Sequence, residues 1–161
     1  MEYRMIRKNN MYSFDLNQIY AVLDSLRMEY PNFKDWYYNT VIPGLRLGTR
    51  SICCVYDENQ IAAVLILKNE GDEKKICTLR VSPQFRRQGI GSALLDIACQ
   101  ELQTEQPIIT VSSNHYNEFR SLFLSKGFEE FAAYPGYYRE SMTEFSFNGP
   151  LNDDSSGRKC A

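Results

Sequence analysis

The chain holds a single histidine, a single tryptophan, no CxxC pair and no long apolar run, and each shortage removes a class of function. One histidine, His115, cannot build a histidine-rich metal centre, and the five cysteines (Cys53, Cys54, Cys77, Cys99 and Cys160) lack the spacing of a zinc site or a redox motif. No metal is expected. Their odd number fits a reducing compartment, with most acting as small core hydrophobes and Cys160 exposed in a polar tail. Cationic excess is also missing, since 18 Lys and Arg face 20 Asp and Glu for a net charge of −2. Non-specific binding to nucleic acid, which displaces counterions from phosphates, is therefore not expected. The longest apolar run, Ile61 to Leu67, is far too short to span a bilayer, and Met1 to Asn10 has no apolar stretch of the kind a secretory signal needs. A cytoplasmic location without membrane insertion follows as the expectation.

What is present suits one globular domain over residues 1–147, with a polar, mobile tail at 148–161: 43% of the 161 residues are hydrophobic and 24% charged. Alternation predicts a strand over Tyr3 to Arg7. Asp15 then offers an N-cap, and Leu16, Ile19, Leu23, Leu26 and Tyr30 follow at helical spacing. Asn32 is placed to cap a second helix carrying Phe33, Trp36, Tyr37 and Val41, stopped by Pro43-Gly44. Ser51 to Tyr56 and Ile61 to Leu67 flank a turn and read as a hairpin, continued as a meander by Lys74 to Val81. Helices over Ile90 to Leu102 and Tyr116 to Ser125 alternate with strands over Ile108 to Ser112, Phe128 to Tyr134 and Met142 to Phe147. The order βααβββαβαββ is α+β, with about seven strands in a mostly antiparallel sheet, about four helices and one crossover. An exposed edge at Met142 to Phe147 would offer pairing between subunits and makes a homodimer a candidate.

One stretch carries chemistry. In Arg86-Arg87-Gln88-Gly89-Ile90-Gly91-Ser92 a strand-like run gives way to a helix, so the unpaired amides and dipole of the helix start, with two arginines beside them, favour an anion. A P-loop would need Gly-Lys-Ser/Thr, and a dinucleotide fingerprint would need Gly or Ala where Leu94 stands, so neither fits.

Leu79-x-Val81-x-Pro83 followed by Arg86-x-x-Gly89-x-Gly91 and Leu94-Leu95 resembles the acetyl-CoA signature of the GNAT superfamily of N-acetyltransferases, and Gly127-Phe128 resembles that family's usual ending. The likeness covers nearly all of residues 1–147. It implies a three-layer GNAT-like fold and transfer of an acetyl group from acetyl-CoA to a primary amine by direct attack, with no acyl-enzyme. It further implies that Arg86, Arg87, Gln88, Gly89, Ile90, Gly91 and Ser92 hold the pyrophosphate, and that the backbone of Leu79, Arg80 and Val81 pairs with the pantetheine arm.

Two family roles fall on unusual residues. The tyrosine that protonates the departing thiolate corresponds to Phe123, which would still wall the coenzyme, and the helix's asparagine falls on Tyr116. A thiol of pKa ~8.5 leaves as thiolate at a cost of about 2 kcal/mol at neutral pH, within reach of water or another tyrosine. Tyr137 and Tyr138 in the last loop are the candidates, with plain aromatic packing as the alternative. The carboxylate that some relatives carry on the fourth strand corresponds to Lys75, with Glu73 the nearest substitute base or else a solvated loop residue. His115 reads as a surface residue at a helix start rather than as a base. The first two helices and the last loop would wall the acceptor, and at least one of Trp36, Tyr37 and Tyr38 is expected to face it. Peptide N-termini, polyamines, amino sugars and aminoacyl-RNA are the candidate acceptors, the last disfavoured by the acidic balance. The alternative to an enzyme is a non-catalytic acyl-CoA-binding or interaction domain of the same fold.

Overall fold

A computed structural model describes residues 1–152. Seven strands form one sheet: β1 (Glu2–Ile6), β2 (Arg50–Asp57), β3 (Gln60–Glu70), β4 (Glu73–Val81), β5 (Ile108–Ser112), β6 (Glu130–Pro135) and β7 (Thr143–Phe147). Their spatial order is β1-β2-β3-β4-β5-β7-β6, and all neighbours run antiparallel except β4 and β5. Helices α1 (Leu16–Leu23), α2 (Phe33–Trp36) and α3 (Ile42–Leu47) cover one face, while α4 (Ile90–Leu102) and α5 (Tyr116–Ser125) cover the other. Among the described residues no helix is long and apolar enough to cross a membrane.

Covering both faces explains why β2 and β3 read as continuous apolar runs. Ile52, Cys54, Val64 and Ile66 enter the core under α1 to α3, whereas Cys53, Val55, Leu65 and Leu67 enter the core under α4 and α5. Burial removes solvent from the thiolate form and pushes the Cys53 thiol up to about 11 and Cys54 to about 12, so both behave as hydrophobes. Cys160 lies outside the described residues.

The Asp15 carboxylate accepts from the amides of Asn17 (3.0 Å) and Gln18 (3.1 Å) and so caps α1. Asp15→Ala is expected to lower the unfolding free energy by about 1 kcal/mol, measured by urea denaturation. The second helical region runs further than the sequence suggests. One π-helical turn, Tyr37–Val41, joins α2 to α3, so Pro43 stands in the first turn of a new segment, where its missing N–H costs little. The segment ends at Gly48, φ 80°. Asn32, expected to cap this region, makes no side-chain cap.

Two further expectations are corrected. Thr143–Phe147 is interior, paired with β5 on one side and β6 on the other, because β7 returns between them; the outer strands are β1 and β6. Residues 148–152 are anchored rather than loose. Asn148 bonds Glu129 and Pro107, Leu151 is buried, and its amide donates to the Tyr134 hydroxyl. The rest of the predicted tail lies outside the described residues.

Two irregularities in β4 prepare a site. Thr78 pairs with Ile66 and Ile76 with Leu67, so Cys77 is the extra residue of a bulge. On its other edge β4 pairs with β5 only at Lys75↔Ile108 and Ile76↔Ile109, after which the two parallel strands part.

Candidate active site

Beyond Val81 a turn at Pro83–Phe85 is pinned by the buried Phe85 ring. The chain then passes through left-handed backbone at Arg87 (φ 60°) and Gly89 (φ 81°) before α4 begins. No side chain caps this helix, and the first amide to find a backbone acceptor there is that of Ala93, bonded to Gly89. The amides from Arg87 to Ser92 donate to no backbone carbonyl among the described residues. With the helix dipole behind them they form a concentrated anion site. Arg86 is half-buried, its Nε donating to the Val81 carbonyl at 3.3 Å, while Arg87 is exposed. Arg80 leans over the same space. Its Nε is buried without a hydrogen-bond partner, and burial lowers its pKa.

The amides open onto a cleft of about 760 Å³ that runs along Leu79 to Val81 toward the start of α5. Where β4 and β5 part, a narrow cavity of about 50 Å³ continues inward, room for a small group or a few waters. Leu26, Leu79, His115 and Phe119 border both spaces, so cleft and cavity adjoin at these side chains.

The cavity has a polar wall. Glu29, following α1, accepts from Ser112 Oγ at 2.8 Å and lies 2.6 Å from His115 Nε2. Burial alone would raise the Glu29 carboxyl, but the bonds from His115 and Ser112 outweigh it and the pKa is lowered. The same bond raises the His115 pKa against the opposing effect of burial. Deeper in, Glu144 Oε2 accepts from the Tyr30 hydroxyl at 3.0 Å and from Thr110 Oγ1 at 3.1 Å. Glu144 is only 3% exposed, and burial pushes its carboxyl up to about 7 although these hydroxyl donors pull it down.

Most of the residues expected to hold a ligand meet in the cleft: Leu79, Arg80, Val81, Arg86, Arg87, Gly89, Ile90, Gly91 and Ser92 all line it. Gln88 is exposed and turns its amide to the Gln84 carbonyl instead. Phe123, 1% exposed, walls the narrow cavity and packs between Phe119 and Phe147, with no polar group of its own.

The expected proton-transfer residues fare differently. Glu73 starts β4, six residues and about 20 Å of strand from Leu79, and its carboxylate is bonded to Lys68 Nζ at 2.8 Å. The structure does not bring it to the cleft. Tyr137 and Tyr138 border neither space; Tyr138 packs edge-on against Tyr30 at 5.0 Å and so stands one ring away. Trp36 and Tyr37 are buried in the core, and the half-buried Tyr38 bonds Asn17, so none of the three faces the cleft. The expectation for His115 is also corrected, because Glu29 draws it partly under cover at the junction of the two spaces. Glu29 and Glu144 escaped the sequence reading altogether. Glu29 ends a helical pattern as any solvated glutamate would, and Glu144 alternates with Phe145 and Thr143 as an outward-facing strand residue would.

Sequence and fold comparisons agree with this geometry. No curated protein matches the sequence. The fold is similar to that of a GNAT-family protein from Desulfovibrio desulfuricans, at 16% identity over 91% of this chain and 96% of that one, with a TM-score of 0.70. It is also similar to an acetyltransferase of the GNAT family from Bacillus cereus (19% identity, 91% and 96% covered, TM-score 0.62). A chain of the NatC complex bound to Gag peptide and CoA aligns at 16% identity over 94% of this chain and 100% of that one, with a TM-score of 0.68. The pattern of the acetyltransferase (GNAT) domain matches residues 49–130, the half of the chain that holds the bulged β4, the amide-rich start of α4 and the parting of β4 from β5. The chain therefore belongs to the GNAT acetyltransferase family.

Proposed function

We propose that the protein transfers an acetyl group from acetyl-CoA to a primary amine, either a peptide or protein N-terminus or a small-molecule amine. The observation that carries this reading is the succession of the free amides of Arg87 to Ser92, the cleft along the β4 backbone and the adjoining cavity in the gap between β4 and β5. The pyrophosphate would sit on those amides with Arg86 and Arg87 beside it. Leu79, Arg80 and Val81 would pair with the pantetheine arm as an added strand. The thioester would then reach the part of β4 beyond its bulge, where a backbone amide near Leu79 can steady the developing oxyanion. Phe123 would pack against the thioester end as an apolar wall. The NatC complex, one chain of which has a similar fold, is bound to Gag peptide and CoA, which supports a peptide amine among the acceptors.

A second reading, a non-catalytic acyl-CoA-binding domain, is favoured by the hydroxyl-free ring of Phe123 at the cavity wall. Calorimetry with acetyl-CoA, followed by free-thiol release across peptide, polyamine and amino-sugar acceptors, separates the two. Binding with acceptor-dependent release well above acceptor-free hydrolysis is the expected result. Tight binding without release from any acceptor would favour the binder, and absence of binding would sink both.

A further inference from the structure

His115 is the chain's only histidine, and each of its ring nitrogens has a carboxylate from a different element beside it. Nε2 is 2.6 Å from Glu29 Oε1, on the cavity side. Nδ1 lies 3.5 Å from Oε2 of Glu118, which lines the cleft but not the cavity. Glu29 is itself fixed by Ser112 Oγ. A carboxylate that holds one imidazole N–H sets the tautomer and leaves the other nitrogen as a proton acceptor. His115 holds the N-cap position just before α5, yet its side chain makes no cap bond to that helix, so capping does not account for its position.

Resting on the acetyltransferase reading, we propose that His115 is the general base for the acceptor amine, with Glu29 as the positioning residue that orients it and stabilises its protonated form. The amine nitrogen forms its bond to the acetyl carbon while the carbon–sulfur bond breaks. The electron pair leaves on the coenzyme thiolate, and the proton shed by the nitrogen passes to His115 Nδ1. The ring borders both the cavity and the cleft, beside the parting of β4 and β5 where the thioester would lie. The charged groups facing it are Glu29 after α1 and Glu118 on α5; Arg80 on β4 and Glu144 on β7 act on Glu29, and Arg86 Nη1 is 3.9 Å from Glu118. The two nearest are carboxylates, which favour the imidazolium, so the base accepts its proton readily and is fully free to do so only on the alkaline side of an ordinary histidine.

A sole histidine makes the test direct. Imidazole resonances of the full-length ¹⁵N-labelled protein are followed against pH, alone and with saturating acetyl-CoA, for wild type and Glu29→Gln. The pH profile of kcat/KM is measured in parallel with two primary amines of different pKa. In wild type His115 should titrate above the ordinary 6.5. Glu29→Gln removes the carboxylate that favours the charged ring, so its titration moves to lower pH, and the acidic limb of kcat/KM should move with it by the same amount for both amines. His115→Gln should lose that limb and at least ~100-fold in kcat/KM, with acetyl-CoA affinity by calorimetry kept within about twofold. A limb that stays while the ring's own titration shifts, or wild-type kcat/KM in His115→Gln, would overturn the proposal and leave the acetyltransferase reading standing. Wild type that fails to bind acetyl-CoA, or binds it and acetylates no amine, would overturn both.

Discussion

Gly91→Asp is expected to weaken acetyl-CoA binding by about a hundredfold or more, roughly 3 kcal/mol, without loss of stability. Gly91 is the second residue of α4 and keeps ordinary helical backbone, so an aspartate meets no conformational barrier there. Its Cβ would approach only the flexible end of Leu122, at 3.3 Å. An acidic side chain in a first helical turn stabilises by ~0.3–1 kcal/mol, and replacing glycine inside a helix adds ~0.5–1 kcal/mol. The same charge is fatal to an anion site. It would sit among the free amides of Arg87 to Ser92, satisfy some of them from within, and repel the pyrophosphate. Each charge-assisted hydrogen bond lost is worth ~1.5–3 kcal/mol. Isothermal titration calorimetry and urea unfolding measure the two effects separately, with Gly91→Ala, which adds only the Leu122 contact, as control. Unchanged affinity in Gly91→Asp would exclude this loop as the coenzyme's anion site.

Stability should fall as pH rises from about 4.5 to about 7, and Glu144→Gln should abolish roughly 3 kcal/mol of that fall. The sign follows from proton counting. Between the ordinary value of 4.5 and the folded value of about 7, the native carboxyl keeps a proton that the unfolded chain has released. The native state binds more protons across this window, so raising the pH favours unfolding. Above about 7 both forms are ionised and the cost stays constant. Glutamine cannot titrate, while its carbonyl can still accept from Tyr30 and Thr110, so any fixed cost of the substitution appears equally at every pH. Urea denaturation of both proteins at pH 5.0 and pH 8.5 gives the difference of differences, from which contributions of His115 and Glu29 common to both largely cancel. Parallel pH dependences for the two proteins would show that Glu144 ionises in the folded state as an ordinary glutamate.

The fold was largely legible because its signals are local. The apolar spacing of α4 and α5 gave their observed limits, and Gly89 announced a backbone reversal that only a residue tolerant of φ 81° makes cheaply. The anion cradle is itself a contiguous stretch, so it could be read from one motif. The π turn that carries the chain past Pro43 could not, since proline ordinarily marks a helix end. The polar wall was beyond reach for a different reason. Glu29 and His115 are 86 residues apart, and Tyr30 and Glu144 are 114 apart. Each is unremarkable in its own neighbourhood, and only the docking of the segment after α1 against the ends of β5 and β7 makes them partners. Glu73 shows the converse error. Strand periodicity put it on the right face, but nothing local said that Lys68 across the hairpin would claim its carboxylate.

The brief pairing of β4 with β5 has a consequence for how the molecule breathes. Beyond Ile76 and Ile109 no ladder joins the halves β1–β4 and β5–β7, which are otherwise tied by the helices packed across them. Amides of Leu79 to Val81 that face the parting have no neighbouring strand to shield them, whereas those facing β3 do. Hydrogen exchange along β4 should therefore alternate between fast and slow from one residue to the next. A ligand that bridges the parting would slow the fast set first, at concentrations that already raise the melting temperature by mass action.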